Sequence, residues 1–588
     1  MRAVMLMFDS LNKKFLSAYG NEETITPNFK RLKENSLCFE NFFVGSLPCM
    51  PARRELHTGR YNFLHRGWGP IEPFDNSMPE ILKNNKIYTH IITDHKHYWR
   101  DGGATYHTRY NSYEFIRGQE GDNWIGEVKR PEVNYESGER EEEKNRKILS
   151  RTQDIINRKH MPNIEDHFLH RTVMGGIDFI ERNKNEDKWF LQIECFDPHE
   201  PYFVPKKYLD IYGVGDIDFD GWPKYYILTE DEEKKEIIRK YYMALVTMCD
   251  DYLGKVLDKF DEYNLWKDTM LIVNTDHGFL LGEHEWWGKN IMPVYNEIAN
   301  TPFFIWDPRF KRKNCTTKLL AQTIDIPATL LEFFLIEKPV EMLGKTMRPI
   351  LEKDNSIRET AIFGYLGSHV NITDGKYVYM RAPLENNYEN LFEYTLMPTR
   401  INRRFTPKEL QGIELVEPFS FTKNCKLLKV PVSSVMTNNA TRYGNKLFNI
   451  INDPCQKKEI IDVEKEIELL EKIKIHLLEN EAPQELYKRI GLDDGISKEK
   501  LLEEKKSYQH IKNILLENLK TFDRKVDEGL MVLFNESNDL FKLKIELENN
   551  FRNKLIVKED LFNWVNSYYS GVRLNEILYK VKLNMRLD

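Results

Sequence analysis

The chain has 588 residues, 41% hydrophobic and 30% charged, enough to bury a large core and to divide into more than one domain. A net charge of −7 excludes a general attraction to nucleic acid or to an anionic membrane, so any anion site must be a local positive pocket. The cysteines, at 38, 49, 195, 249, 315, 425 and 455, are scattered and odd in number, which fits a reducing compartment without structural disulfides. The first apolar run is too short for a secretory signal and no later run is long enough to span a bilayer, so a cytoplasmic protein is expected.

Taken in order, Ala3 to Phe8 reads as a strand buried on both faces, ending at Asp9-Ser10. Ligands gather at the carboxyl ends of such strands, so Asp9 is a candidate oxygen ligand; alone, it reads equally as a turn or N-cap residue. The stretch Pro48-Cys49-Met50-Pro51-Ala52-Arg53-Arg54-Glu55-Leu56-His57-Thr58-Gly59-Arg60 predicts a helix with Pro51 at its first position, Gly59 just past its end and Cys49 just before it. Free N–H groups there and the forks of Arg53 and Arg54 make an anion cradle beside a thiol. A buried structural cysteine is the plainer alternative. Met78 to Lys83 has helical spacing, and Ile87 to Ile92 is a β run that leads to Asp94-His95-Lys96-His97. Asp101 to Trp124 shows no periodicity and is expected to form a loop walling the substrate. Glu136 to Arg158 is a charged, solvated loop or helix. Trp189 to Phe196 is another strand, and its loop carries His199 between prolines that fix it. Glu230 to Lys259 is helical, and Met270 to Thr275 is a strand ending at Asp276-His277-Gly278, with Lys289 beyond. Thr301 to Trp306 is a further strand. From Thr360 short β runs alternate with turns such as Asp374-Gly375, and Ser497 to Asp588 reads as amphipathic helices.

Cys49-x-Pro51-Ala52-Arg53 followed by Thr58-Gly59-Arg60 resembles the signature of the sulfatases of the alkaline phosphatase superfamily. Thr26-Pro27-Asn28, the His199-Glu200-Pro201 loop, Asp276-His277-Gly278 with Gly282-Glu283-His284 and Lys289, and Lys446 to Pro454 resemble later elements of that family in the same order. The resemblance implies that Cys49 is oxidised to formylglycine, whose hydrate is the nucleophile. It implies one divalent metal held by Asp9, Cys49, Asp276 and His277, with Ca²⁺ the first candidate and Mn²⁺ or Mg²⁺ behind it. It implies that Arg53 and Lys289 steady the anion, that His199 protonates the leaving oxygen, and that His95 and His97 occupy the positions of a Lys and a His that contact sulfate. Three departures stand out: Ser10 replaces a second Asp, His95 replaces Lys, and His277 stands where many members have Asn. A nitrogen ligand suits Mn²⁺ or Zn²⁺ better than an all-oxygen set does.

The expected fold is α/β, a mixed, mainly parallel sheet sandwiched by helices, with a smaller antiparallel α+β subdomain and a helical C-terminal extension. The expected boundaries are 1–355, 356–494 and 495–588. The expected activity is hydrolysis of a sulfate monoester, small-molecule or carbohydrate, with a formylglycine-generating enzyme as maturation partner. Neither nucleic acid nor membrane is expected as a partner, and the C-terminal helices are a candidate homo-oligomer contact. The rival readings are a phosphonate monoester hydrolase or phosphodiesterase on the same fold, and a non-catalytic anion binder.

Overall fold

The computed structural model describes residues 1–506 except 134–140, 226–227, 229, 385–389, 433–439 and 441–442. Its main sheet has eight strands: β1 (Arg2–Phe8), β2 (Leu37–Phe39), β3 (Tyr88–Thr93), β4 (Ser112–Phe115), β5 (Trp189–Cys195), β6 (Thr269–Asn274), β7 (Phe303–Trp306) and β8 (Cys315–Thr317). Their order is β8-β2-β7-β6-β1-β5-β3-β4. Only β7 runs against its neighbours. The sheet is therefore mixed and mainly parallel, as expected.

The apolar run of β1 is continuous because each face meets its own core. Val4, Leu6 and Phe8 join one cluster, and Ala3, Met5 and Met7 join the other. In β5 the same alternation sends Trp189, Leu191 and Ile193 to the first face and Phe190 to the second. Gln192 and Glu194, at the same parity as Phe190, thus turn polar groups toward the second face. Helices close both sides: α1 (Cys49–Thr58), α2 (Glu141–Lys159), α3 (Phe168–Asn183), α4 (Glu232–Glu262) and α5 (Asp325–Phe333). Buried residues of α3 and α4 cover the first face, and those of α1 and α5 cover the second.

Three predictions need correction. Cys49 is the first residue of α1, not the one before it, and Pro51 is the third. The first turn has no intrahelical N–H partners, so proline fits anywhere in it. Gly59 does end the helix in the left-handed region, φ 58°, where an added Cβ would meet the Met342 side chain at 2.3 Å. The second correction is that Asp101 to Trp124 is not all loop. It contributes β4, an edge strand paired in parallel with β3, too short and half-exposed to show alternation. The third is that α2 is not wholly solvated, since Ile156 and Asn157 are buried.

The short runs after Thr360 form β9 (Ala361–Gly364), β10 (Val370–Thr373), β11 (Tyr377–Arg381), β12 (Phe392–Thr395), β13 (Glu414–Val416), β14 (Leu427–Pro431) and β15 (Lys446–Asn449). An antiparallel sheet of order β9-β10-β11-β15 lies beside a three-stranded one of order β12-β14-β13. One face of the larger packs on α6 (Val463–Glu479), through Ile362, Ile372 and Leu447 against Leu469 and Ile473. The other shares a core with Val44, Leu47 and Trp286 of the main body. Of the C-terminal extension, residues 498–506 are helical, and Glu504 and Lys505 pair with Arg381 and Glu466. Residues 507–588, with the expected oligomer contact, lie outside the described residues. No helix of the described residues is long and apolar enough to cross a membrane.

Candidate active site

Register brings the two expected carboxylates together. Met7 of β1 faces Asn274 of β6 in a parallel pair, so Asp9 and Asp276, each two residues on, leave the sheet at one level. Both are completely buried. The start of α1 rises opposite them and supplies Cys49. One ligand atom each from Asp9, Cys49, Asp276 and His277 fall within 4.8 Å of one another, the sole group of three or more such residues among those described. His277 Nδ1 donates to the Gly278 carbonyl at 2.9 Å, which leaves Nε2 free toward the cluster, 3.2 Å from Cys49 Sγ.

Arg53 departs from its expected role. Its Nε donates to Glu194 at 2.8 Å, one terminal nitrogen to Asp276 at 2.6 Å and to the Cys49 carbonyl, and the other to Asp9 at 2.8 Å. The fork is spent on three carboxylates and holds them in place. Glu194 is held in turn by Tyr98 and by Gln192, which accepts from Tyr110.

Ser10 shows what replaces a second aspartate. Its φ is +62°, its N–H donates to Asp276 at 3.2 Å and its hydroxyl donates to Asp9 at 2.7 Å. The same oxygen accepts from Lys289 Nζ at 2.8 Å. Ser10 thus orients charges without adding one. Burial works against the charge of Lys289, but Cys49, Asp9, Glu200 and Asp276 outweigh it and raise its pKa.

Burial, then the Asp9 charge, push Asp276 up to about 7, although Asp9 itself is held well below the usual range by Arg53 and Lys289 against its own burial. Burial also pushes the Cys49 thiol well up, so it stays protonated and inert as a thiol.

His199 is buried, and its charge is coupled to Lys289, Asp9 and His277. His97 is nearly buried against the Trp68 ring, with charge coupling to Arg53 and His199, and its Nδ1 has no hydrogen-bond partner. His95 is fully buried among His97, Tyr98 and Phe196, its Nε2 lies against Met50 Sδ at 3.3 Å, and burial drives its pKa well down. A neutral, enclosed imidazole does not replace a lysine charge, which corrects the expected contact. Nor does Lys96, which pairs with Glu120 at 2.8 Å.

Sequence reading missed Glu194, Gln192, Tyr98, Glu200 and Tyr365, whose hydroxyl donates to the Lys289 carbonyl. The available signal was two polar residues on one face of an otherwise apolar strand, Gln192 and Glu194.

Comparisons with known proteins point to one family. A family model described as Sulfatase matches residues 2–335, and one described as N-sulphoglucosamine sulphohydrolase, C-terminal, matches 282–413. An arylsulfatase of Clostridium perfringens is 26% identical over 495 residues, covering 74% of this chain and 98% of its own. Two solved structures share the fold. One, in complex with its substrate D-glucosamine-2-N,6-O-disulfate, has TM-score 0.56 at 14% identity over 82% of this chain and 99% of its own. The other, a phosphonate monoester hydrolase of Agrobacterium radiobacter, has TM-score 0.55 at 15% identity over 82% and 96%. With the matched model spanning more than half of its length, and with the strand-end cluster in place, this chain belongs to the sulfatase family.

Proposed function

We propose that the chain hydrolyses a sulfate monoester where Cys49, Lys289, His199 and His97 border the Asp9–Asp276–His277 cluster. The observation that carries this reading is the convergence of four buried ligand-type side chains beside a buried lysine. Two carboxylates and one imidazole, all buried and converging within 4.8 Å with the Cys49 sulfur, fit a divalent cation. Asp9, Asp276 and His277 would hold it, with Ca²⁺ as first candidate and Mn²⁺ or Mg²⁺ behind it. When bound, such a cation polarises a sulfate oxygen and lowers the pKa of a nearby hydroxyl. The inert thiol of Cys49 fits a position that acts after oxidation to formylglycine by a maturation enzyme, in a cytoplasmic protein.

The other roles belong to the chain's own side chains. Lys289 supplies fixed positive charge to the anion. Arg53 holds Asp9, Asp276 and Glu194 in register. His199 delivers a proton to the leaving oxygen, and His97 accepts one on the return half of the turnover. The related fold bound to a disulfated glucosamine makes sulfated carbohydrates the first substrate class to try.

One observation favours the rival reading. A nitrogen donor, His277, stands in the ligand set, and a phosphonate monoester hydrolase shares the fold. The test is matured enzyme assayed on a sulfate and a phosphonate monoester with one common leaving group. A clear preference for sulfate supports the proposal; a clear preference for phosphonate overturns it.

A further inference from the structure

His199 is followed by Glu200 in a loop fixed by Pro198 and Pro201. Glu200 is 4% exposed. Its Oε1 accepts from the Tyr225 hydroxyl at 2.5 Å. Its Oε2 makes no hydrogen bond and lies 3.2 Å from His199 Nδ1. That same ring nitrogen contacts the Glu200 carbonyl oxygen. Two acceptors on one side of the ring place a proton on Nδ1, so Nε2 is the nitrogen left for a substrate.

A buried carboxylate oxygen with an imidazole as its close polar neighbour is costly unless the imidazole carries charge or the carboxyl keeps its proton. A general acid needs that charge: His199 protonates a leaving oxygen from Nε2 only when both nitrogens bear protons. Burial and Lys289 oppose the charged ring and push its pKa well down. A carboxylate 3.2 Å from Nδ1 acts in the opposite direction.

We propose that Glu200 is the positioning residue for this acid, with its carboxylate, anchored by Tyr225, stabilising the charged form of His199. The inference rests on the sulfate-ester reading of the site. As the sulfur–oxygen bond breaks, its electron pair goes to the leaving oxygen, which takes the Nε2 proton. His199 is left neutral with its Nδ1 proton in place. The attacking oxygen gives up its proton to solvent as its bond to sulfur forms, and His199 Nε2 takes one from solvent after the leaving group departs, so the proton count closes over the turnover. Lys289 and Glu120 are the other charged groups that face Glu200, with Tyr202 and Tyr225 as neutral phenols, and burial pushes its carboxyl up to about 7.

Acid assistance matters most for poor leaving groups. The test is Glu200→Gln in the matured, full-length enzyme, which keeps the shape and the acceptor for Tyr225. The substrates are aryl sulfates from nitrophenyl to unsubstituted phenyl, then an alkyl sulfate. The expected result is a loss of kcat/KM of less than about threefold for nitrophenyl sulfate that grows to about 100-fold for the alkyl ester. Tyr225→Phe should tilt the series in the same direction by a smaller amount, and it carries the test if Glu200→Gln does not fold. A uniform loss across the series, or none, overturns the proposal while leaving the sulfatase reading intact. Wild-type enzyme that cleaves no sulfate monoester overturns both.

Discussion

The eight-stranded sheet and the four-stranded sheet of Ala361–Asn449 are built from similar apolar runs but differ in what they can assemble. In the first, β1, β5 and β6 run in parallel and in register, so the residues that follow them emerge at one edge. Asp9, His199 and Asp276 are far apart in sequence and close in charge for that reason. In the second, every pair is antiparallel, so successive turns go to opposite ends and no edge collects carboxylates. Its contribution is mechanical. The β9–β10 turn places Tyr365 against the Lys289 carbonyl, and Gly364 bridges to Ser46, just ahead of the signature helix. Parallel pairing makes the site, and antiparallel pairing braces it.

The sharpest way to break this contrast is at the parallel edge. Cys49→Ala should cost at least about 10³-fold in turnover of a sulfate monoester, measured on folded protein. Full activity would remove the signature helix from the chemistry. Next, Glu194→Gln leaves the Arg53 Nε without its charged acceptor. Metal affinity should fall about 10- to 100-fold in a titration, as expected for a residue that orients ligands.

A pH-dependent effect tests the joint between the two sheets. Glu55 of α1 accepts from the Ser46 N–H and hydroxyl, and burial pushes its carboxyl up to about 8. In the unfolded chain it ionises near 4.5, so the unfolded state loses this proton first as pH rises. Stability from this group is therefore full below about pH 4.5 and is lost by up to about 1.4 kcal/mol per pH unit until about pH 8. Glu55→Gln should flatten that slope in denaturation curves taken at pH 5, 6, 7 and 8; an unchanged slope would show that Glu55 is not buried neutral. The smallest effect is expected at the brace. Tyr365→Phe should cost about 0.5–1.5 kcal/mol of stability and leave kcat near wild type. If it lowered turnover as much as loss of a catalytic residue does, the four-stranded sheet would belong to the machinery itself.

Much of the site was legible because its residues lie directly after strands buried on both faces. Asp9 and Asp276 needed only the apolar runs before them to be placed at a common rim, and the contiguous signature placed Cys49. What was not legible depended on partners distant in sequence. Arg53 reads as an anion fork until Glu194, from the middle of another strand, is seen to take its Nε. His95 reads as the counterpart of a sulfate-contacting Lys until Met50, Tyr98 and Phe196 are seen to close around it. Edge strand β4 was missed because one short, half-exposed run carries no alternation to detect.

The register of β1 also sets a timetable. Arg2–Phe8 is the first strand made, yet its two partners are Trp189–Cys195 and Thr269–Asn274. During synthesis a continuous apolar segment therefore waits with both hydrogen-bonding edges open until Trp189–Cys195 is made, and with one edge open until Asn274 is added. Such a segment is a template for pairing with other chains, and non-local pairing of this kind is slow. A nascent chain stopped anywhere before Asn274 has no native neighbour for one side of that strand. Chaperone dependence should therefore be greatest for chains of that length, and it should fall once β6 has closed the gap.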